Sequence, residues 1–140
     1  MLKVLAAVDG SLHADHAVDY VIELAAHGAQ VEVLLLNVQP EILEWQTHGL
    51  AHETMVTRRQ EEAQRAAEVA CMQLKAAGVH HELRIESGEA AETIARVAVK
   101  QGSDMIVLGT RGIGAIANLV IGSVAYKVVH LAKVPVTLVK

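Results

Sequence analysis

The chain of 140 residues contains no phenylalanine, one tryptophan, two tyrosines and a single cysteine. A lone cysteine excludes a disulfide within the chain and is typical of a reducing compartment. With so few aromatic side chains, the core has to be built from the valine, leucine, isoleucine and alanine that dominate the 52% hydrophobic residues. Alanine-rich helices packed on valine- and leucine-rich strands suit a sheet that is closely covered by helices.

The sequence also lacks long apolar runs and an excess of positive charge. No uninterrupted hydrophobic stretch approaches the roughly 20 residues that span a membrane. The opening segment MLKVLAAVDG has neither the length nor the cleavage site of a secretory signal. A formal net charge of -4 disfavours nucleic-acid binding, because no basic face is available. We therefore expect one cytoplasmic domain, residues 1–140, without membrane or nucleic-acid partners.

Segments with strand and helix periods alternate along the chain. Strands are predicted at KVLAAVDG, AQVEVLLLNV, VHHELRIESG, DMIVLG and VPVTLVK. The 3.6-residue period predicts helices over about 12–27, 54–77, 90–102 and 123–133, and residues 39–53 form a long connection. Five strands separated by helices predict a doubly wound α/β fold, with a five-stranded parallel sheet and helices on both faces.

The glycine-rich stretch GTRGIGAIANLVIGS follows the fourth predicted strand and runs from Gly109 to Ser123. Ligands of doubly wound sheets bind where the strand order reverses, which falls between the first and fourth strands if the first is central. Backbone N–H groups that lead into a helix start, with no side chain in the way, favour an anion such as a phosphate chain. The alternative is that these glycines only form a tight turn.

Two known phosphate-binding patterns do not fit this stretch. The Walker signature is absent, and GIGAIA follows the wrong strand for a dinucleotide fingerprint and lacks the acidic residue about twenty positions on. The spacing of Gly109, Gly112 and Gly122-Ser123, by two and nine residues, instead resembles the nucleotide-binding motif of the universal stress protein family. The segments VLAAVDGS, LLLNV, DMIVLGTRG and GSVAYKVVHLAKVPVTLVK extend the resemblance over nearly the whole chain.

The resemblance implies an adenine nucleotide alpha hydrolase-like fold that binds ATP, ADP or AMP, with or without Mg²⁺. It implies that the ribose and phosphates contact Gly109, Gly112, Gly122 and Ser123, with Val124 as a further N–H donor. By the same resemblance, the adenine is lined by Ala7 and Val38.

Asp9 matches an acidic position of the family beside the nucleotide, where it would hold the ribose, the base or the water of a metal. It can also form an Asx turn that starts the first helix. Arg111 is the only cation in the loop, because the spacer IGAIANLVI carries no charge where many relatives have a lysine or arginine. The uncharged spacer leaves phosphate binding dependent on backbone donors.

The resemblance implies a stress-response sensor or regulator, and without a Walker lysine or a positioned base we expect slow or absent hydrolysis. The alternatives are a dimeric adaptor of the same fold without useful nucleotide affinity, and an enzyme such as an ATPase or nucleotidyl transferase. Family members often dimerise through the last strand, here Val134–Val139, whose open apolar edge predicts a twofold homodimer. If the loop binds phosphate, Gly109→Val should abolish binding and leave the fold largely intact.

Three further features have interpretations that compete with function. The pairs His13/His16 and His48/His52 have helical spacing, but they lack the glutamate or cysteine of known zinc sites, so we expect solvated or partner-facing histidines. Cys71 is expected to pack as a small apolar residue. Trp45 would either cover the crevice or an interface, or anchor a surface loop.

Overall fold

A computed structural model of the chain describes residues 1–42, 51–112 and 121–140. The strands are β1 (Leu2–Ala7), β2 (Val31–Gln39), β3 (His80–Ser87), β4 (Met105–Gly109) and β5 (Val136–Val139). The helices are α1 (Leu12–Ala26), α2 (His52–Ala76), α3 (Ala90–Lys100) and α4 (Ser123–Leu131). Among the described residues, no helix is long and apolar enough to cross a membrane.

The strands form one parallel sheet in the order β3-β2-β1-β4-β5. The predicted doubly wound, five-stranded parallel α/β fold is therefore confirmed, with β1 at the centre and β3 at an edge. Helices α1 and α2 pack on one face of the sheet, and α3 and α4 pack on the other. Neighbouring residues of β2 serve both cores, since Leu35 belongs to the first cluster and Leu36 to the second.

Two helical patterns differ from the prediction in detail. Helix α2 begins at His52, two residues before the predicted start, and the last residue of the predicted range, Ala77, is its exposed C-cap. On α4, helical spacing predicts one buried face with Val124, Val128 and Leu131. Val128 is buried, as is Ala125, whereas Val124 and Leu131 are 39% and 41% exposed. Helix α4 packs mainly against α3 and to a smaller extent against the edge strand β5, which leaves much of its surface exposed.

The connection from β1 to α1 is held by local hydrogen bonds. The hydroxyl of Ser11 accepts a bond from the Ala14 N–H at 3.2 Å and caps α1, as the sequence predicts. Gly10 has φ +84°, and a Cβ there would lie 3.4 Å from the Cα of Ala66 on α2. This turn therefore needs glycine for its backbone angle, while an added Cβ would only be in van der Waals contact with α2.

Candidate functional site

A cavity of about 420 Å³ opens at the carboxyl ends of β1 and β4, where the strand order reverses. Its volume lies within the range of about 300–1,000 Å³ that small-molecule sites occupy. All nine residues that the sequence singles out line it: Ala7, Asp9, Val38, Gly109, Arg111, Gly112, Gly122, Ser123 and Val124. The two strand tips and the start of α4 therefore meet around one space.

The floor of the cavity is apolar and lies on the face of the sheet covered by α3 and α4. Leu36 and Leu108 form it together with Ala7 and Val38, and all four belong to or pack against the second core cluster. Ile94 of α3 closes the same side. A flat hydrophobic group, such as a purine ring, fits this surface because little polar surface there would lose its hydration.

Several lining residues escape the sequence reasoning. Ala90 and Ile94 come from the first turns of α3, and Thr110 and Ser11 flank the predicted positions. No motif marks α3, since its contribution depends on how the helix crosses the sheet. Leu36 and Leu108 could have been found from the sequence, because each lies within three residues of the carboxyl end of a strand with an apolar run.

The main chain of Val38 is directed towards β1. The Leu36 carbonyl accepts a hydrogen bond from the Val8 N–H at 2.9 Å, so it points to β1. Backbone groups change side at each residue along a strand, and those of Val38 therefore point the same way as those of Leu36. Val38 therefore lines the cavity and has its main-chain N–H on the side of β1.

Asp9 forms the Asx turn that the sequence allows. Its Oδ1 accepts a hydrogen bond from the Ser11 N–H at 2.9 Å. Its Oδ2 lies 2.5 Å from the position that a Cβ would occupy on Gly112. The missing side chain of Gly112 thus makes room for the Asp9 carboxylate, and the β1 and β4 tips approach each other through this pair.

The amino end of α4 is joined to the tip of β4. Gly122 precedes the helix as its N-cap and donates its N–H to the Thr110 carbonyl at 2.6 Å. Ser123 and Val124 form the first turn, whose N–H groups have no partner within the helix. With both residues lining the cavity, these donors and the positive end of the helix dipole favour an anion there.

Gly109 lines the cavity, as expected, and also has a packing role that the sequence does not reveal. A Cβ on Gly109 would lie 2.7 Å from the carbonyl carbon and oxygen of His13 and 2.8 Å from the His13 Cβ. The close neighbour is therefore the first turn of α1. The expectation that Gly109→Val leaves the fold largely intact is wrong, because the added side chain would collide with the main chain of α1 and force that helix away from β4.

Charge in the cavity is sparse. Among the described residues that line it, Arg111 is the only cation and Asp9 the only carboxylate. The Arg111 Nε is buried and has no hydrogen-bond partner within the described part of the chain. A guanidinium nitrogen in this state gains most from an anionic oxygen, because burial without a partner is costly.

The histidine pairs, the cysteine and the tryptophan considered in the sequence do not line the cavity in the part of the chain that the structure describes. The rings of His13 and His16 lie 6.3 Å apart, and His16 Nδ1 lies 3.2 Å from the Lys140 carbonyl oxygen. Within residues 1–42, 51–112 and 121–140, no three side chains form a metal-binding cluster. Cys71 packs against the first core cluster, and burial raises the pKa of its thiol. Trp45 and His48 lie outside the described residues.

The whole chain matches one protein family. The model of the universal stress protein family matches residues 1–140. The chain belongs to this family. A universal stress protein of Thermus aquaticus is 34% identical over 139 residues, which cover 98% of this chain and 97% of that protein. Universal stress protein YxiE of Bacillus subtilis is 30% identical over 146 residues, covering 99% of this chain and 98% of that protein.

Solved structures share the fold over nearly their full length. Hypothetical protein MJ0577 has a TM-score of 0.84 at 26% identity and covers 99% of this chain and 95% of its own. A universal stress protein family protein from Arabidopsis thaliana with AMP bound has a TM-score of 0.73 at 23% identity, and the match covers 100% of this chain and 92% of that chain. A universal stress protein from Archaeoglobus fulgidus in complex with dAMP has a TM-score of 0.69 at 23% identity, and the match covers 100% of this chain and 98% of that chain.

Proposed function

We propose that this universal stress protein binds an adenine nucleotide in the cavity between β1 and β4. In this proposal residues 1–140 form a single cytoplasmic domain that acts as a stress-response sensor or regulator. The observation that carries it is the meeting of two surfaces: the donors at the start of α4 face a cavity whose floor is apolar. A nucleotide has the same division, with a flat base at one end and an anion at the other.

The residues divide between the two halves of the ligand. We assign the base to the side formed by Ala7 and Val38, and the phosphates to the N–H groups at Gly112, Ser123 and Val124. Arg111 supplies the one positive side chain on the phosphate side, and Asp9 lies between the halves, where its carboxylate can accept from ribose hydroxyls. Gly122 sets the start of α4, and Gly109 lets α1 approach the tip of β4.

The donor set also bears on the metal and on the number of phosphates. Mg²⁺ needs one or two carboxylates besides the phosphate oxygens, and Asp9 can provide one. Arg111 is the one cation of the described lining, so little positive charge is available to neutralise the additional phosphates of ATP. We therefore propose that AMP and ADP bind comparably to ATP, and that Mg²⁺ strengthens the binding of ATP most. Relatives of the same fold crystallised with AMP and dAMP support adenine nucleotides as the ligand class.

Two measurements test the proposal. Denaturing the purified protein and analysing the supernatant by mass spectrometry identifies any nucleotide that was retained. Calorimetric titration of nucleotide-free protein with AMP, ADP and ATP, with and without Mg²⁺, then gives the affinities. We expect dissociation constants in the micromolar range or below, about -8 kcal/mol in binding free energy. Absence of retained nucleotide together with no binding at millimolar concentrations contradicts the proposal.

That negative outcome is the expectation for the second candidate function, a dimeric adaptor of the same fold. The uncharged spacer between Gly112 and Gly122 favours it, because backbone donors alone have to hold the phosphates there. An adaptor would keep the strand edge described next while losing the ligand. The calorimetric titration therefore separates the two functions directly.

We also propose that two copies pair through β5. The carbonyls of Pro135 and Val139 accept hydrogen bonds from the N–H groups of Ile106 and Thr110, at 2.9 and 2.8 Å. Backbone groups alternate along a strand, so the N–H and C=O of Val136 and Leu138 point away from β4, towards the open edge of the sheet. An edge that presents such groups beside apolar side chains is a template for a second strand.

A further inference from the structure

Asn37 is one of the few buried polar side chains of the described chain, with 3% of its surface exposed. It lies on β2 between two residues of the cavity floor, Leu36 and Val38, and its side chain is on the opposite face of the sheet. Its Nδ2 donates a hydrogen bond to the Val8 carbonyl at 2.8 Å. Its Oδ1 accepts one from the Gln39 Nε2 at 2.7 Å, which fixes the orientation of the carboxamide.

The bond from Asn37 stands where the ladder between β1 and β2 would otherwise continue. The last main-chain bond of this pair runs from the Val8 N–H to the Leu36 carbonyl. In a regular parallel ladder, the next bond would run from the Val38 N–H to the Val8 carbonyl. Among the described residues, the Val8 carbonyl is instead satisfied by the Asn37 side chain, and no main-chain bond joins it to Val38.

We infer that Asn37 is a positioning residue for the nucleotide site: by occupying the Val8 carbonyl, it leaves the main-chain N–H of Val38 for the base. The inference rests on the proposed nucleotide function and adds a residue that does not line the cavity. A buried carbonyl needs a donor, so something has to satisfy Val8 at this point. Here the donor is a side chain on the face of the sheet opposite the cavity floor. The main-chain ladder between β1 and β2 therefore ends one residue early, and the strand tips stay open to a ligand.

The test replaces Asn37 by leucine, which has nearly the same size and no donor. In Asn37→Leu the Val38 N–H is expected to close onto the Val8 carbonyl. The dissociation constants of AMP and adenosine should then rise together, by about tenfold, because the lost interaction belongs to the base. Val31→Ala is the matched control: Val31 lies on the same strand at its other end, is 7% exposed, and should leave both constants unchanged.

Hydrogen exchange at the Val38 amide provides a readout that does not depend on ligand. In nucleotide-free wild-type protein we expect this amide to exchange quickly, and in Asn37→Leu to be protected, with Val31→Ala behaving as wild type. If Asn37→Leu does not fold, Asn37→Ala takes its place, since it removes the donor to Val8 with a smaller side chain.

The outcomes separate the two proposals. Unchanged affinity for both ligands, or a loss confined to AMP with adenosine unaffected, overturns the positioning role of Asn37 while the nucleotide function stands. If the wild-type protein binds neither ligand, the nucleotide function fails. Amide exchange then still decides whether Asn37 keeps Val38 out of the ladder, and a protected Val38 amide in the wild-type protein overturns the inference.

Discussion

Gly109 ends β4 in direct contact with the main chain of His13, and a Cβ there would lie 2.7 Å from the His13 carbonyl oxygen. Real side chains do not approach backbone this closely, so any residue but glycine forces α1 away from β4. We predict that Gly109→Ala lowers the free energy of unfolding by about 2 kcal/mol, the usual size of an overpacking effect. Urea denaturation followed by circular dichroism measures it, and a loss below about 0.5 kcal/mol would contradict the packing role.

Gly112→Ala is the counterpart of this change, because the nearest atom to its added Cβ is the Asp9 Oδ2, at 2.5 Å. The end of a side chain can rotate away, so we expect the free energy of unfolding to stay within about 0.5 kcal/mol of the wild-type value. Moving the Asp9 carboxylate should weaken AMP binding by about tenfold. Calorimetry of AMP binding measures the change. Wild-type affinity in Gly112→Ala would mean that Asp9 does not act from its present position.

Arg111 tests the proposed division of the cavity into a phosphate side and a base side. Replacing it by glutamine removes the charge that the buried Nε brings to the cavity. We expect AMP affinity to fall by about tenfold, the size of one charge-assisted hydrogen bond, while adenosine affinity is unchanged. The salt dependence of AMP binding should also weaken. Arg96→Gln, on the exposed side of α3, is the control; equal losses for AMP and adenosine would contradict the assignment.

Val136 tests the proposed pairing through β5. Val136→Pro removes an N–H that points away from β4, and the hydrogen bonds from Ile106 and Thr110 remain possible. We predict that sedimentation equilibrium finds a dimer for the wild-type protein and for Val136→Thr, which keeps the N–H and the side-chain shape. Val136→Pro should weaken the dimer by about tenfold or more. A monomeric wild type, or a proline variant that dimerises normally, excludes this edge as the interface.

Glu89 gives a pH dependence with a defined sign. A hydrogen bond from the Glu92 N–H, at 2.8 Å, is the main cause that lowers the pKa of Glu89 below its ordinary value of 4.5, with smaller help from Ala91 and Lys127 against partial desolvation. A carboxyl group whose pKa is lowered by folding stabilises the fold above its unfolded pKa, and this contribution is lost as pH falls through the folded pKa.

We therefore predict that Glu89→Gln lowers the free energy of unfolding at neutral pH, by about 0.5 kcal/mol, as expected for a weakened helix cap. The difference from wild type should vanish in acid below the folded pKa of Glu89, where both side chains are uncharged. Denaturation curves at the two pH values measure it. Glu68→Gln, on the exposed face of α2, is the control for a general charge effect. A difference that persists in acid would show that the cap depends on shape alone.

The alternation of apolar runs and helical stripes was enough to predict the order of strands and helices and the parallel sheet, whereas the position of the cavity followed only if β1 is central. These properties follow from local periods of two and 3.6 residues and from the chirality of parallel crossovers, which do not depend on distant contacts. The same holds for the Ser11 cap and the Asx turn of Asp9, since each bond joins residues two or three positions apart.

The sequence by itself thus determined the architecture and which loops surround the cavity, and the spacing of Gly109, Gly112 and Gly122 pointed to a family. Only the tertiary structure decided what each residue touches. Gly109 proved to be needed by α1, a helix almost a hundred positions earlier, and Asn37 proved to satisfy a carbonyl of β1. Such roles depend on atoms brought within a few ångströms by the packing of separate elements, and no local pattern encodes that distance.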